Sequence, residues 1–120
     1  MEILYFDSDQ PLHKVAEEVF KALGVKALEG DSANVLAGDY YDTSILGISL
    51  KLELNACDHE DQYRYMMSIR QDPFSDADLY PGQLSELAQI VCKSIAANLK
   101  VEVALDKADQ LMVYAPTASS

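Results

Sequence analysis

Cysteine and histidine are scarce in this chain, and positive charge is heavily outnumbered by negative. Its 120 residues include two cysteines, two histidines and nine Lys plus Arg, against twenty Asp plus Glu, for a formal net charge of −11. Cys57 and Cys92 are isolated, without the CxxC spacing of a redox or zinc motif. Cys92 also falls inside a helical pattern, where a free thiol behaves as a small hydrophobe, so both cysteines read as reduced thiols of a cytoplasmic protein. The few Lys and Arg are dispersed and form no basic stripe of the kind a phosphate backbone needs, which argues against nucleic acid as a partner. No apolar run approaches the roughly 18 residues of a membrane span. Met1-Glu2 leads into only Ile3-Leu4-Tyr5-Phe6 before Asp7, which is not the basic-then-apolar pattern of an export signal. The expectation is a protein with neither a membrane nor an export segment.

Catalytic signatures are missing as well: there is no GxGxxG, GxxxxGK, GxSxG or HExxH. His13 falls on the polar side of a first helix and His59 in an acidic turn, so imidazole acid–base chemistry has little material. No catalytic residue and no cofactor is expected. The stretch Cys57-Asp58-His59-Glu60-Asp61 sets soft and hard metal ligands side by side. Adjacent residues at a strand end point in alternate directions, however, and the stretch lacks the spaced carboxylates and central glycine of a calcium loop. It reads as a solvated turn rather than a metal site.

The material that is present suits one globular domain. Apolar residues make up 49% and charged residues 24% of the chain, ordinary proportions for a folded domain and too apolar for disorder. A chain of this length buries about two thirds of its unfolded surface and supports one core without staples. Residues 1–114 are expected to form that domain, with 115–120 a frayed tail.

Ile3–Phe6 reads as an opening strand. Ser8 or Asp9 offers an N-cap ahead of Pro11, and Leu12, Val15, Ala16, Val19, Phe20 and Leu23 keep helical spacing up to a terminating Gly24. Short strands are expected around 26–28 and 34–37. Ile48, Leu50, Leu52 and Leu54 alternate with Ser49, Lys51, Glu53 and Asn55, the period of a half-buried antiparallel strand. Tyr63, Tyr65, Met67 and Ile69 alternate similarly with Arg64, Met66, Ser68 and Arg70. The two strands should form a hairpin, with Lys51 and Glu53 near Arg64 and Arg70 on the solvent face. Tyr63 and Tyr65 read as core. Pro81 suits the first turn of a second helix carrying Leu84, Leu87, Ala88, Val91, Ile95 and Leu99. Two final strands, around Val101–Leu105 and Leu111–Tyr114, flank a turn at 106–109. The order β-α-β(β)-β-β-α-β-β implies an α+β fold. Its mostly antiparallel sheet carries two amphipathic helices on one face and leaves the other face to water or a partner.

Carboxylates gather beside large aromatics. Glu53, Asp58, Glu60 and Asp61 lie at one end of the expected hairpin, and Asp72, Asp76 and Asp78 lie in the loop leaving the other. These make two patches roughly 25 Å apart at 3.3 Å per strand residue. Asp39-Tyr40-Tyr41-Asp42 and Asp72-Pro73-Phe74 add the anchors typical of protein interfaces. For Phe74 the alternative is a side chain folded back under its loop. Asp39, Tyr40, Tyr41, Asp42, Glu53, Asp58, Glu60, Asp61, Asp72, Phe74, Asp76 and Asp78 are therefore the candidate partner-binding residues.

With its size, its acidity, the alternating strand Gly47–Asn55, the following Tyr63–Ile69 and a late helix Leu84–Leu99 leading into two strands, the chain resembles the small acidic immunity proteins of bacterial toxin–immunity pairs, contact-dependent growth inhibition systems among them. That resemblance implies a cytoplasmic, non-enzymatic inhibitor that binds one cognate toxin domain, often a nuclease, through the toxin's basic surface. The alternatives are an acidic chaperone or nucleic-acid mimic, and a small metal-dependent enzyme using Cys57–Asp61.

Overall fold

The computed structural model describes residues 1–26, 28–31, 39–45, 47–55, 59, 61–72, 82–107 and 110–116, with the backbone alone at 28–31, 39 and 45. The elements run β1 (Glu2–Phe6), α1 (Leu12–Ala22), β2 (Leu28–Asp31), β3 (Asp39–Ile45), β4 (Ile48–Leu54), β5 (Tyr65–Gln71), α2 (Gln83–Leu99), β6 (Val103–Lys107) and β7 (Gln110–Tyr114). All strand pairs are antiparallel, and the strand order across the sheet is β2-β3-β4-β5-β1-β6-β7. The amino-terminal strand thus sits between two hairpins distant in sequence and ties the halves of the chain together.

One sheet face and both helices enclose the core. Leu4 and Phe6 of β1, Leu50 and Leu52 of β4, Tyr65, Met67 and Ile69 of β5, and Val103 and Leu105 of β6 are buried together. They pack with Val15, Val19 and Phe20 of α1 and with Ala88, Val91, Cys92, Ile95 and Ala96 of α2. The alternation expected for β4 is met: its even-numbered residues from Ile48 to Leu52 are buried and the residues between are half-buried. Cys92 is a buried free thiol in the centre of this layer, and burial pushes its pKa up to about 12.

Helix termini differ from the sequence expectation at their starts and agree at the first helix's end. Neither Ser8 nor Asp9 caps α1. Pro11 occupies the N-cap position without a side-chain cap, and its carbonyl accepts from the Lys14 and Val15 amides, both at 3.0 Å. Ser8 instead accepts from the Gln10 amide at 3.1 Å, a local turn that satisfies the hydroxyl one turn too early. At the other end Gly24 adopts φ +74°. Its amide donates to Lys21 and the Val25 amide to Phe20, both at 3.0 Å, the paired closure that requires a left-handed residue. Helix α2 starts at Gln83 with Gly82 as N-cap, two residues later than a Pro81 start implies; Pro81 lies outside the described residues.

Strand limits were shifted in three places. The second expected short strand, 34–37, lies outside the described residues, whereas β3 occupies Asp39–Ile45, a stretch whose two aspartates mask its strand character. Asp106 and Lys107, expected in the turn, belong to β6 and pair with Leu111 and Gln110; 108–109 lie outside the described residues. Strand β5 starts at Tyr65, which places Tyr63 outside the core alternation.

The expected cross-strand charge pairs do not form either. Arg70 faces Ser49, Lys51 faces Ser68 and Glu53 faces Met66. Lys51 pairs along its own strand with Glu53 at 3.4 Å, and Arg64 lies 3.8 Å from Asp7. Register, set by the buried residues of the same strands, overrides the charge pattern because a one-residue slip would expose the whole apolar face.

Candidate functional site

The sheet face opposite the helices carries the features to examine for binding. Strand pairing lays its side chains in rows. Val113, Ala104, Tyr5, Met66 and Glu53 form one row across five strands. Ile3, Ser68, Lys51 and Asp42 form a second, and Arg70, Ser49 and Ser44 a third. This face is not uniformly open to solvent. Tyr5, Met66 and Ala104 are at most 5% exposed although they point away from the helices.

The cover over Tyr5 comes from the β4–β5 connection. The Tyr63 ring stacks on Tyr5 at 6.3 Å between centroids, and His59 meets Tyr5 edge-on at 5.5 Å. Buried Asn55 anchors the connection: its side-chain amide donates to the Tyr63 carbonyl at 3.0 Å and its backbone amide to Arg64 at 2.7 Å. The His59 carbonyl accepts from Gln62 and Tyr63, at 3.0 and 2.9 Å, and His59 itself takes φ +62°. The Tyr63 hydroxyl donates to Glu102 at 2.9 Å. Burial, reinforced by that carboxylate, raises the phenol's pKa. Tyr63, expected in the main core, therefore belongs to a small second cluster on the other face. His59 serves that cluster as an aromatic edge. Among the described residues no group of three or more His, Cys, Asp or Glu could hold a metal ion; Cys57, Asp58 and Glu60 lie outside them.

On the β3–β4 side of the same face, several candidates come together around Lys51. Its ammonium is 4.6 Å from the centre of the Tyr40 ring and 3.4 Å from Glu53, and Asp42 is its cross-strand partner. The cation touches both the Tyr40 ring and the Glu53 carboxylate and so links the two strands' side chains. Glu53 is only 12% exposed at its side chain, so its charge is largely committed to Lys51, while Tyr40 and Asp42 remain half-exposed. Beside this cluster Ser49, Lys51, Glu53, Ser68, Arg70 and Met1 line a depression of about 260 Å³. The side chains of Tyr40 and Asp42, together with Glu53, thus form a patch of two carboxylates and a ring around Lys51, bordered across the depression by Arg70.

The remaining candidates separate. Tyr41 points to the helix side, packs at the core margin and lines a groove of about 450 Å³ with His13, Ala16, Phe20 and Val25, apart from the Lys51 cluster. Asp61 is exposed in the β4–β5 connection. Asp72 sits beyond the opposite end of β5, its amide donating to Gly47 at 2.9 Å. Asp39 opens β3 with only its backbone described, and Asp58, Glu60, Phe74, Asp76 and Asp78 lie outside the described residues. The Tyr5–His59–Tyr63 cluster went unread in the sequence. Its signal was the unbroken apolar run Ile3–Phe6, the pattern of a strand covered on both faces.

No helix of the described residues is long and apolar enough to cross a membrane. No family model matches the sequence, and comparison with curated proteins and with solved structures gives no match.

Proposed function

We propose that this chain is a non-enzymatic, cytoplasmic inhibitor of the immunity type, which binds one cognate toxin domain through the acidic half of its exposed sheet face. The observation that carries the reading is the meeting of Tyr40, Asp42 and Glu53 on that face in a chain of net charge −11. A ring held by Lys51 loses little side-chain entropy on binding, and the surrounding carboxylates steer a basic partner. A nuclease fits such a surface well, because its own substrate groove must be basic to hold phosphates. Occupying that groove is inhibition by competition and needs no chemistry from the inhibitor.

The test is co-expression with the product of the adjacent reading frame, followed by stopped-flow association of the purified pair. The expected result is rescue of growth, a stoichiometric complex, and an association rate that falls steeply with salt as charges more than about 8–10 Å apart are screened. Tyr40→Ala should cost about 2 kcal/mol as an anchor. Rescue by a folded variant carrying both Tyr40→Ala and Asp42→Lys that equals the parent's, with salt-independent association, would sink the reading.

A further inference from the structure

Strand β7 closes the sheet on one side, and its outer edge has no neighbour among the described residues. Its sequence, Gln110-Leu111-Met112-Val113-Tyr114, contains no charge and no proline. Natural sheet edges are ordinarily blunted by one or the other, because an open ladder is a template for another strand. Val113 is 53% exposed and Met112 37%, two of the four exposed large hydrophobics among the described residues. They lie on opposite faces of one short edge, Val113 in the Tyr5 row and Met112 beside Leu105.

We propose that β7 is a homodimer interface: two copies of the chain pair antiparallel through their β7 edges about a two-fold axis at Met112, which joins two sheets into one. The two-fold sets Leu111 opposite Val113 of the second copy, Gln110 opposite Tyr114, and Met112 opposite itself. Every facing pair is uncharged, and the exposed apolar atoms of one edge are covered by those of the other. Charge is the main obstacle to self-association of so acidic a chain; the described charges nearest this edge, Asp106 and Lys107 of neighbouring β6, are of opposite sign, and the acidic patch is remote. Asp42 and Glu53 lie on β3 and β4, and β4 is four strands from the edge. The two β4 strands of such a dimer are roughly 40 Å apart at about 4.8 Å per strand, several Debye lengths at physiological salt. A basic partner, by contrast, would find no complementary charge on β7. A five-residue ladder buries little area, so the dimer belongs to the weak, concentration-dependent class. Its surface is separate from the acidic patch, and the inference stands independently of the toxin reading.

Sedimentation equilibrium of the full chain at rising concentration, in physiological and in high salt, provides the first measurement. The expected result is reversible association to twice the 13.3 kDa chain mass, strengthened by salt as the residual repulsion is screened. Val113→Lys enters the interface twice and should weaken association about tenfold or more, with an unchanged far-ultraviolet spectrum. Register is read separately by Met112→Cys in a Cys57→Ser background. Facing strand residues are about 4.5–5.5 Å apart at Cα, within reach of a disulfide, so mild oxidation should give a covalent dimer. Ile90→Cys, 61% exposed on the outer side of α2, should not crosslink. A chain that stays monomeric at submillimolar concentration in both salts overturns the proposal. So does crosslinking of Met112→Cys no faster than of Ile90→Cys, or a monomer whose Val113→Lys variant loses only a heterologous partner.

Discussion

Tyr114 shows how one atom can be worse off folded than unfolded. Its ring packs against the core from the helix side of β7, yet its hydroxyl is buried with no hydrogen-bond partner among the described residues. Burial raises its pKa, the expected direction for a phenol that has lost its water. An orphaned buried hydroxyl costs about 1–3 kcal/mol, whereas the ring alone loses nothing by staying. Tyr114→Phe should therefore leave the fold unchanged and raise stability by about 1 kcal/mol, read as a higher urea midpoint at constant slope. Cys92 supplies the second prediction at this scale. Its folded pKa of about 12 stands above the 9.0 of an unburied thiol, because burial penalises the thiolate. The unfolded chain thus releases this proton first. The stability is intact below 9.0 and is lost as pH climbs from there toward about 12, by up to about 1.4 kcal/mol per pH unit for one proton. Cys92→Ala should flatten that alkaline fall in urea titrations at stepped pH, although it lowers stability at neutral pH by leaving a small cavity.

Elements whose apolar residues keep one period are legible in the sequence itself. Strand β4 alternates strictly, and α1 and α2 repeat at helical spacing; in all three the residues singled out as apolar line the core. The order of elements in an α+β fold followed from them. Their boundaries were less legible because capping depends on where the chain enters. Ser8 and Asp9 are good capping residues in sequence, but the helix starts after Pro11, where neither side chain caps it. Of the candidate site, the pairing of Tyr40 and Asp42 with Glu53 was only half visible. Sequence proximity grouped Tyr40 with Tyr41, and strand geometry sends them to opposite faces. What joins Tyr40 to Glu53 is Lys51, through a β3–β4 register no sequence rule supplied. The β4 assignment carries its own test. Leu52 is fully buried, and its neighbour Glu53 is held only by a partly solvated ion pair. Leu52→Asp should unfold the domain, since an unpaired buried carboxylate costs several kcal/mol. Glu53→Ala should cost under about 1 kcal/mol. Thermal melts of the two variants that coincide would contradict the register.

At the scale of the whole molecule the question is how a net charge of −11 is used. The β4–β5 register separates its ends: Ile48 pairs with Gln71, next to Asp72, and Leu54 pairs with Tyr65, on the side of the connection that holds Asp61. Seven strand residues lie between, about 23 Å at 3.3 Å per residue. The Tyr40–Asp42–Lys51–Glu53 patch occupies the interval. A standard interface of about 800 Å² per partner is a disc of about 16 Å radius; centred on Glu53, opposite Met66, it takes in the Leu54 end, whereas Asp72 lies about 20 Å away at 3.3 Å per residue, outside it. Steering and contact then separate experimentally. Long-range attraction depends on the total charge, so Asp61→Lys and Asp72→Lys should slow association of the proposed complex by similar factors, erased alike by salt. Dissociation depends on groups inside the footprint, so only one of the two should accelerate it markedly. Surface plasmon resonance on the two variants at two ionic strengths reads both rates. Equal acceleration of dissociation by both would mean that the partner wraps the full length of the hairpin, and no effect of either on association would mean that the acidity plays no part in recognition.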